Sequence, residues 1–167
     1  PIFVIWLFAV LATTTIAFAE MKIGVGRTII TPEEPIWMAG YASRTEPSAG
    51  KVHDLWAKAM AIEDSDGNRV VILTSDLIAL TMDITDAVAV RIDKEHGISR
   101  ANLLFNASHT HSGPVVRNEG LHGMYGLSDE ENSKAVAYTK RLHNLVFDTI
   151  DMAVKDLESG TLSWGIG

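Results

Sequence analysis

The 167-residue chain contains no cysteine. Disulfide bonds and thiolate metal sites are therefore excluded, and any metal must be held by nitrogen and oxygen. Basic runs are missing as well, and the net charge is −7, a balance that argues against nucleic acid as a partner. No internal repeat or low-complexity tract occurs. A dinucleotide fingerprint is incomplete: after Gly24-x-Gly26 the third glycine position holds Ile29, and Thr31-Pro32 stand where a helix should open. Nucleotide binding is rejected on that feature. What remains, 47% apolar and 21% charged residues, is the composition of one ordinary globular domain with a proper core.

The N-terminus lacks an initiating methionine and a positive leader region, and opens on Pro1. It does hold an uninterrupted apolar run over residues 1–12, followed by Thr13 to Thr15 and the small-x-small triplet Ala17-Phe18-Ala19. The run is short for a bilayer span, and the triplet has the form of a signal-peptidase site. Residues 1–19 are therefore expected to be a signal peptide whose start is truncated, and the protein to be secreted or periplasmic. The alternative is an uncleaved anchor or a buried N-terminal helix. Residues 20–167 are expected to be the N-terminal part of a larger catalytic domain, because the chain stops in what reads as a strand over residues 161–166.

The fold class expected is α/β, a mixed β-sheet with flanking helices. Residues 21–31 read as a strand and residues 36–41 as a short strand or an aromatic-packed loop. Residues 55–62 and 69–77 read as a hairpin around the turn-forming Asp66-Gly67. Residues 81–96 carry Ile84, Val88 and Ile92 at helical spacing, with Asp83 or Thr81 to cap the start and Gly97 to stop the helix. His96, in the last turn, is assigned a structural role beside the helix dipole. Ser128 with Glu131 forms a capping box ahead of a long helix, whose stripe runs through Ala135, Tyr138, Leu142, Leu145, Val146, Ile150, Ala153 and Leu157. Ser159-Gly160 is read as its end.

The chemistry concentrates in Leu103-Leu104-Phe105-Asn106-Ala107-Ser108-His109-Thr110-His111-Ser112-Gly113-Pro114. A buried strand continued through this run would put His109 and His111 on one face at its carboxyl end, where α/β folds place ligands. Imidazole is the commonest protein metal ligand and moves protons near neutral pH. Asp76, at the end of another strand, joins the candidate site residues, with a turn or cap role as its alternative. Arg117, Glu119, His122 and Tyr125 form a candidate rim, although each alone reads as exposed. His53-Asp54 is rejected as a ligand pair, since adjacent strand residues face opposite ways. Asn106-Ala107-Ser108 is formally a glycosylation sequon, discounted because its strand is expected to be buried.

Gly26-Arg27-Thr28-Ile29-Ile30-Thr31-Pro32, Met38-Ala39-Gly40-Tyr41, Thr74-Ser75-Asp76-Leu77 and above all His109-Thr110-His111-Ser112-Gly113-Pro114 together resemble the N-terminal domain of neutral/alkaline non-lysosomal ceramidases. The likeness runs in order from about Ile23 to the last strand. It implies a secreted or membrane-surface zinc amidohydrolase that cleaves the N-acyl bond of ceramide to sphingosine and a fatty acid. By the same resemblance His109 is a Zn2+ ligand and His111 the catalytic group that contacts substrate or moves protons. A second histidine, a glutamate, a tyrosine and the serine motif of those enzymes would come from later sequence, so the fragment alone is expected to be inactive. Val115-Val116-Arg117 depart from the small residues usual there, which loosens the substrate more than the metal. The partners implied are a lipid or other small-molecule amide and a peripheral membrane surface.

Rival readings are a ceramidase-like metallohydrolase for another amide or ester, and a non-catalytic secreted module that keeps the scaffold. An amidohydrolase barrel carries its His-x-His on the first strand, and a metallo-β-lactamase needs Asp-His to follow. Neither condition is met here.

Overall fold

A computed structural model describes residues 21–117 and 125–166. Five strands form one mixed sheet in the order β4-β3-β2-β1-β5. They are β1 (Met21–Ile29), β2 (Trp56–Glu63), β3 (Arg69–Ser75), β4 (Leu103–Ala107) and β5 (Glu158–Gly160). β3 and β4 are parallel, with Ser75 paired to Ala107 at their carboxyl ends, and the other neighbours are antiparallel. The connection between the parallel pair is α1 (Met82–His96), which runs back along the sheet; α2 (Asp129–Lys155) is the second helix. The mixed α/β fold read from the sequence is the fold observed.

The expected hairpin is present. Asp64 closes it by accepting from the backbone N–H groups of Asp66 and Asn68. At the same end Lys22 and Arg69 converge on Glu63 and hold its carboxyl below the usual carboxylate range.

Alternation sets the layers. Ala57, Ala59 and Ala61 of β2 and Val71 and Leu73 of β3 are buried, as are Ile84, Val88 and Ile92 of α1 and Leu142, Val146 and Ile150 of α2. All belong to one core cluster, so both helices lie on the same face of the sheet. The helices flank one side only. On the other face Val25, Ile29, Val70 and Leu104 are exposed, and no described element covers them. Gly24 and Gly26 stand where α2 lies nearest the sheet, which is what this glycine pair serves in place of a phosphate.

The helix boundaries follow their end chemistry. Gly97 takes a left-handed φ of 68° and its N–H donates to Asp93 O. Thr81 occupies the N-cap position of α1 without a side-chain capping bond. Ser128 and Glu131 form the full capping box of α2: Ser128 Oγ accepts from Glu131 N, and Ser128 N donates to Glu131 Oε2. Replacing Ser128 by Ala is expected to cost about 1 kcal/mol, read as a lower urea midpoint at unchanged slope. Buried Tyr138 anchors α2 across the core by donating to Ile30 O at 2.7 Å, and burial pushes its phenol above the usual range.

Three expectations are corrected. The last strand is Glu158–Gly160, paired to β1, and residues 161–166 have no regular structure. The residues expected to end α2 are thus in the sheet, because β1 offers them an open edge. β4 is an edge strand and not a buried one, with Leu104 and Asn106 exposed; the reason given for discounting the sequon at Asn106 therefore falls. Arg117, read as an exposed rim residue, is buried at 3% exposure, and its backbone N–H donates to Thr139 Oγ1 of α2. Among the described residues no helix is long and apolar enough to cross a membrane. The expected signal peptide, residues 1–19, lies outside the described residues.

Candidate functional site

β4 ends at Ala107, before either histidine. The expectation of an extended strand carrying both on one face is therefore wrong in detail. Ser108 N still donates to Ser75 O, holding the chain to the end of β3. His109 then takes a left-handed φ of 57°. That turn ends the alternation, yet it folds the chain so that the two imidazoles meet, with ring centroids 5.2 Å apart at 61°. The pair expected from the sequence is thus assembled by a bend and not by strand periodicity. A left-handed non-glycine residue costs about 1–3 kcal/mol and persists where surrounding structure over-determines it, often at functional sites.

His109 is exposed, and its Nδ1 lies 2.9 Å from Ile78 O. A carbonyl oxygen can only accept, so Nδ1 carries the proton and the Nε2 lone pair of the neutral ring is free. A backbone partner on one ring nitrogen is the usual device that orients a histidine for metal ligation through the other. His109 accordingly fits one position of a zinc site. His111 is half-buried, and its ring makes a T-shaped contact with that of Tyr41, the centroids 4.8 Å apart.

The site is closed by the loop before β2. Ala39 N donates to Gly113 O and Val115 N to Trp37 O, around a bridge between Met38 and Pro114. Ala39, Val115 and Ala135 form a small second core with Trp37, Ile78 and Tyr125 against it. The loop that carries the histidines, the carbonyl that orients His109 and the start of α2 are thus packed together. Arg44 Nη2 donates to His111 O at 2.6 Å, and Gly40 N approaches Tyr125 Oη at 3.5 Å. Sequence reasoning assigned no role to Gly40, Tyr41 or Arg44; the glycine-aromatic step in an irregular segment was the available signal.

Asp76 is not brought into this group. Its Oδ2 accepts from Trp56 N, and its own N donates to Trp56 O, so it closes the β2–β3 pairing. Its side chain thus serves the backbone at the strand ends, a structural role, though neither a turn nor a helix cap. His53 Nδ1 contacts Asp54 O, and Asp54 accepts from Thr31 and Lys51, so these two make no ligand pair. Glu119 and His122 lie outside the described residues.

Elsewhere among the described residues, Glu95, His96 and Asp151 bring one ligand atom each within 4.8 Å of one another. They stand at the C-terminal end of α1, near the start of β4, whereas the histidine pair follows the carboxyl end of β4, so the length of the sheet lies between the two groups. Arg91 already holds Glu95 at 3.0 Å, Lys155 holds Asp151 at 2.7 Å, and His96 Nε2 lies 2.9 Å from Asp151. Burial alone would raise the Asp151 carboxyl, but hydrogen bonds from Lys155 and His96 overcome it and hold it below the usual range. The group is an ion-pair network joining α1 to α2, and His96 has the structural role expected of it.

Comparison with known proteins places the fold among relatives. The chain is 29% identical to the neutral ceramidase of Pseudomonas aeruginosa over 154 residues, covering 87% of this chain and 22% of that protein. It is 31% identical to neutral ceramidase 2 of Arabidopsis thaliana over 117 residues, covering 68% of this chain and 16% of that protein. The crystal structure of the Pseudomonas aeruginosa neutral ceramidase superposes with a TM-score of 0.64 at 26% identity, over 86% of this chain and 23% of that one. A structure described as ceramidase complexed with C2 gives a TM-score of 0.67 at 28% identity, over 86% of this chain and 22% of that one. The chain thus spans about a fifth of the length of these relatives. Residues 21–167 match the family described as neutral/alkaline non-lysosomal ceramidase, N-terminal, and the chain belongs to that family.

Proposed function

We propose that this chain supplies the histidine-bearing N-terminal part of a zinc-dependent amidohydrolase that cleaves the N-acyl bond of ceramide to sphingosine and a fatty acid. The observation that carries the reading is His109: an exposed ring, its Nδ1 tied to Ile78 O, its Nε2 free to bind a metal. Relatives named neutral ceramidases support the substrate class. When bound, zinc supplies Lewis acidity and a water that ionises near pH 7.

In this reading His109 binds the metal. His111, with its ring beside that of His109, holds the proton that the departing amine needs when the C–N bond breaks. The remaining ligands come from other parts of the full-length protein. Among the described residues His109 belongs to no group of three potential ligands. A secreted or periplasmic location, a signal peptide over residues 1–19 and contact with a membrane surface that presents the lipid complete the proposal.

The test is zinc content together with hydrolysis of a fluorescent N-acylsphingosine by the full-length protein. One zinc per chain with turnover is the expected result. Zinc with turnover of other amides or esters, but not of ceramide, would keep the metallohydrolase and replace the substrate. Absence of zinc would overturn the proposal in favour of a scaffold without its chemistry.

A further inference from the structure

Among the described residues only two non-glycine positions have a positive φ, Tyr41 at 47° and His109 at 57°. Both side chains flank the ring of His111. Gly40, immediately before Tyr41, has a φ of 75°, and a Cβ placed on it would lie 2.4 Å from His111 Cγ and 2.5 Å from its Nδ1. The imidazole therefore occupies the space a side chain at position 40 would need. Tyr41 is 62% exposed, so burial of its own surface does not explain its strained backbone. The contact it makes is its ring against His111. Behind them Arg44 lies with its guanidinium carbon 5.3 Å from the Tyr41 ring centroid, while its Nη2 holds the His111 carbonyl.

We infer that Gly40, Tyr41 and Arg44 form a positioning arm that fixes the imidazole of His111 in one orientation beside His109. The side of the ring that carries Nδ1 faces Gly40, which leaves Nε2 as the nitrogen farther from Gly40. Arg44 fixes the backbone of His111, Gly40 supplies the slot, and the ring of Tyr41 stops the imidazole from rotating out of it. A rotamer-free imidazole would present its proton over a range of directions; a clamped one presents it in one. The value of this clamp for catalysis rests on the reading of His111 as the proton-moving group. The clamp itself does not.

The experiment uses the full-length protein, with two readouts. The first is the histidine side-chain NMR spectrum, with the His111 resonances assigned by their loss in His111→Gln. The second is kcat and KM on the fluorescent N-acylsphingosine. In Tyr41→Leu the ring-current contribution to the His111 protons should vanish and kcat should fall about 10- to 100-fold, with KM nearly unchanged. Tyr41→Phe should restore both, because the ring and not the phenol makes the contact. In Gly40→Ala the ring must retreat by about 1 Å to reach ordinary contact, and a loss of about 100-fold in kcat is expected.

If Gly40→Ala fails to fold, the Tyr41 pair still decides. His111 resonances and kcat both unchanged in Tyr41→Leu would overturn the positioning arm and leave the proposed function standing. Resonances that move while His111→Gln itself retains full turnover would uphold the arm and remove His111 from the chemistry.

Discussion

His109→Ala should abolish stoichiometric zinc binding and lower amide turnover by at least about 1000-fold, whereas His111→Ala should keep the zinc and lose turnover alone. The asymmetry follows from what each ring touches. His109 has one nitrogen committed to Ile78 O and the other exposed. On the proposed reading, removing it deletes a ligand and leaves the carbonyl of Ile78 nothing to orient. Lewis-acid stabilisation of developing charge is worth several kcal/mol, and about 4 kcal/mol corresponds to about 1000-fold in rate. His111 has its Nδ1 edge against Gly40 and its carbonyl held by Arg44, contacts that place its ring without a metal, as the proposed division of roles requires. Loss of a general acid typically costs about 100- to 10,000-fold with metal content intact. Metal analysis of the two purified full-length variants, beside their kinetics, checks the split. Equal loss of zinc in both would show the pair to be two ligands and would sink the division of labour. Loss in neither would remove His109 from the metal site.

The histidine pair was legible in the sequence because two imidazoles one residue apart, after an apolar run and before Gly113-Pro114, are rare enough to stand out. The means by which they meet was not legible. Strand alternation would have aligned them, but β4 stops at Ala107 and a left-handed His109 does the work; a positive φ at a non-glycine residue leaves no mark in composition or period. The hairpin, α1 and α2 were readable from Asp-Gly, Gly97 and the Ser128–Glu131 box, since each is fixed by local chemistry. Arg117 was misread because charge usually means exposure, whereas this arginine is drawn in where its backbone meets Thr139. β5 was missed for the converse reason: Glu158, Ser159 and Gly160 have little strand propensity, and only the open edge of β1 makes them a strand.

Gly24→Ala should destabilise the domain by about 3 kcal/mol or more, at the upper end of overpacking costs. A Cβ at Gly24 would stand 2.0 Å from Ala153 O and 2.8 Å from Leu157 N, and one at Gly26 would stand 2.2 Å from Thr149 O. These obstacles are backbone atoms of α2 and of the residue just past its end, which cannot rotate aside as a side chain can. To accept a methyl group α2 must rise from the sheet by more than 1 Å, drawing Val146, Ile150 and Ala153 out of the core they share with Ala57, Ala59 and Ala61. The alanines paired with the two glycines, Ala61 to Gly24 and Ala59 to Gly26, are small for the same reason. The usual gain of about 0.4–1 kcal/mol from stiffening the unfolded chain does not offset this.

Urea unfolding followed by circular dichroism measures the effect, and Gly26→Ala should resemble it. Because both clashes are relieved by the same lift of one helix, the double variant should cost clearly less than the sum of the singles. Strict additivity would mean that the two sites relax independently, and a cost below about 0.5 kcal/mol would place Gly24 with ordinary surface substitutions. The lift also reaches the histidines. Ala135 and Thr139 of α2 hold Val115 and Arg117, and Val115 is tied through Trp37 and Ala39 to the arm that begins at Gly40. Folded Gly24→Ala protein should therefore show displaced His111 resonances although the substitution meets the opposite end of α2 from them.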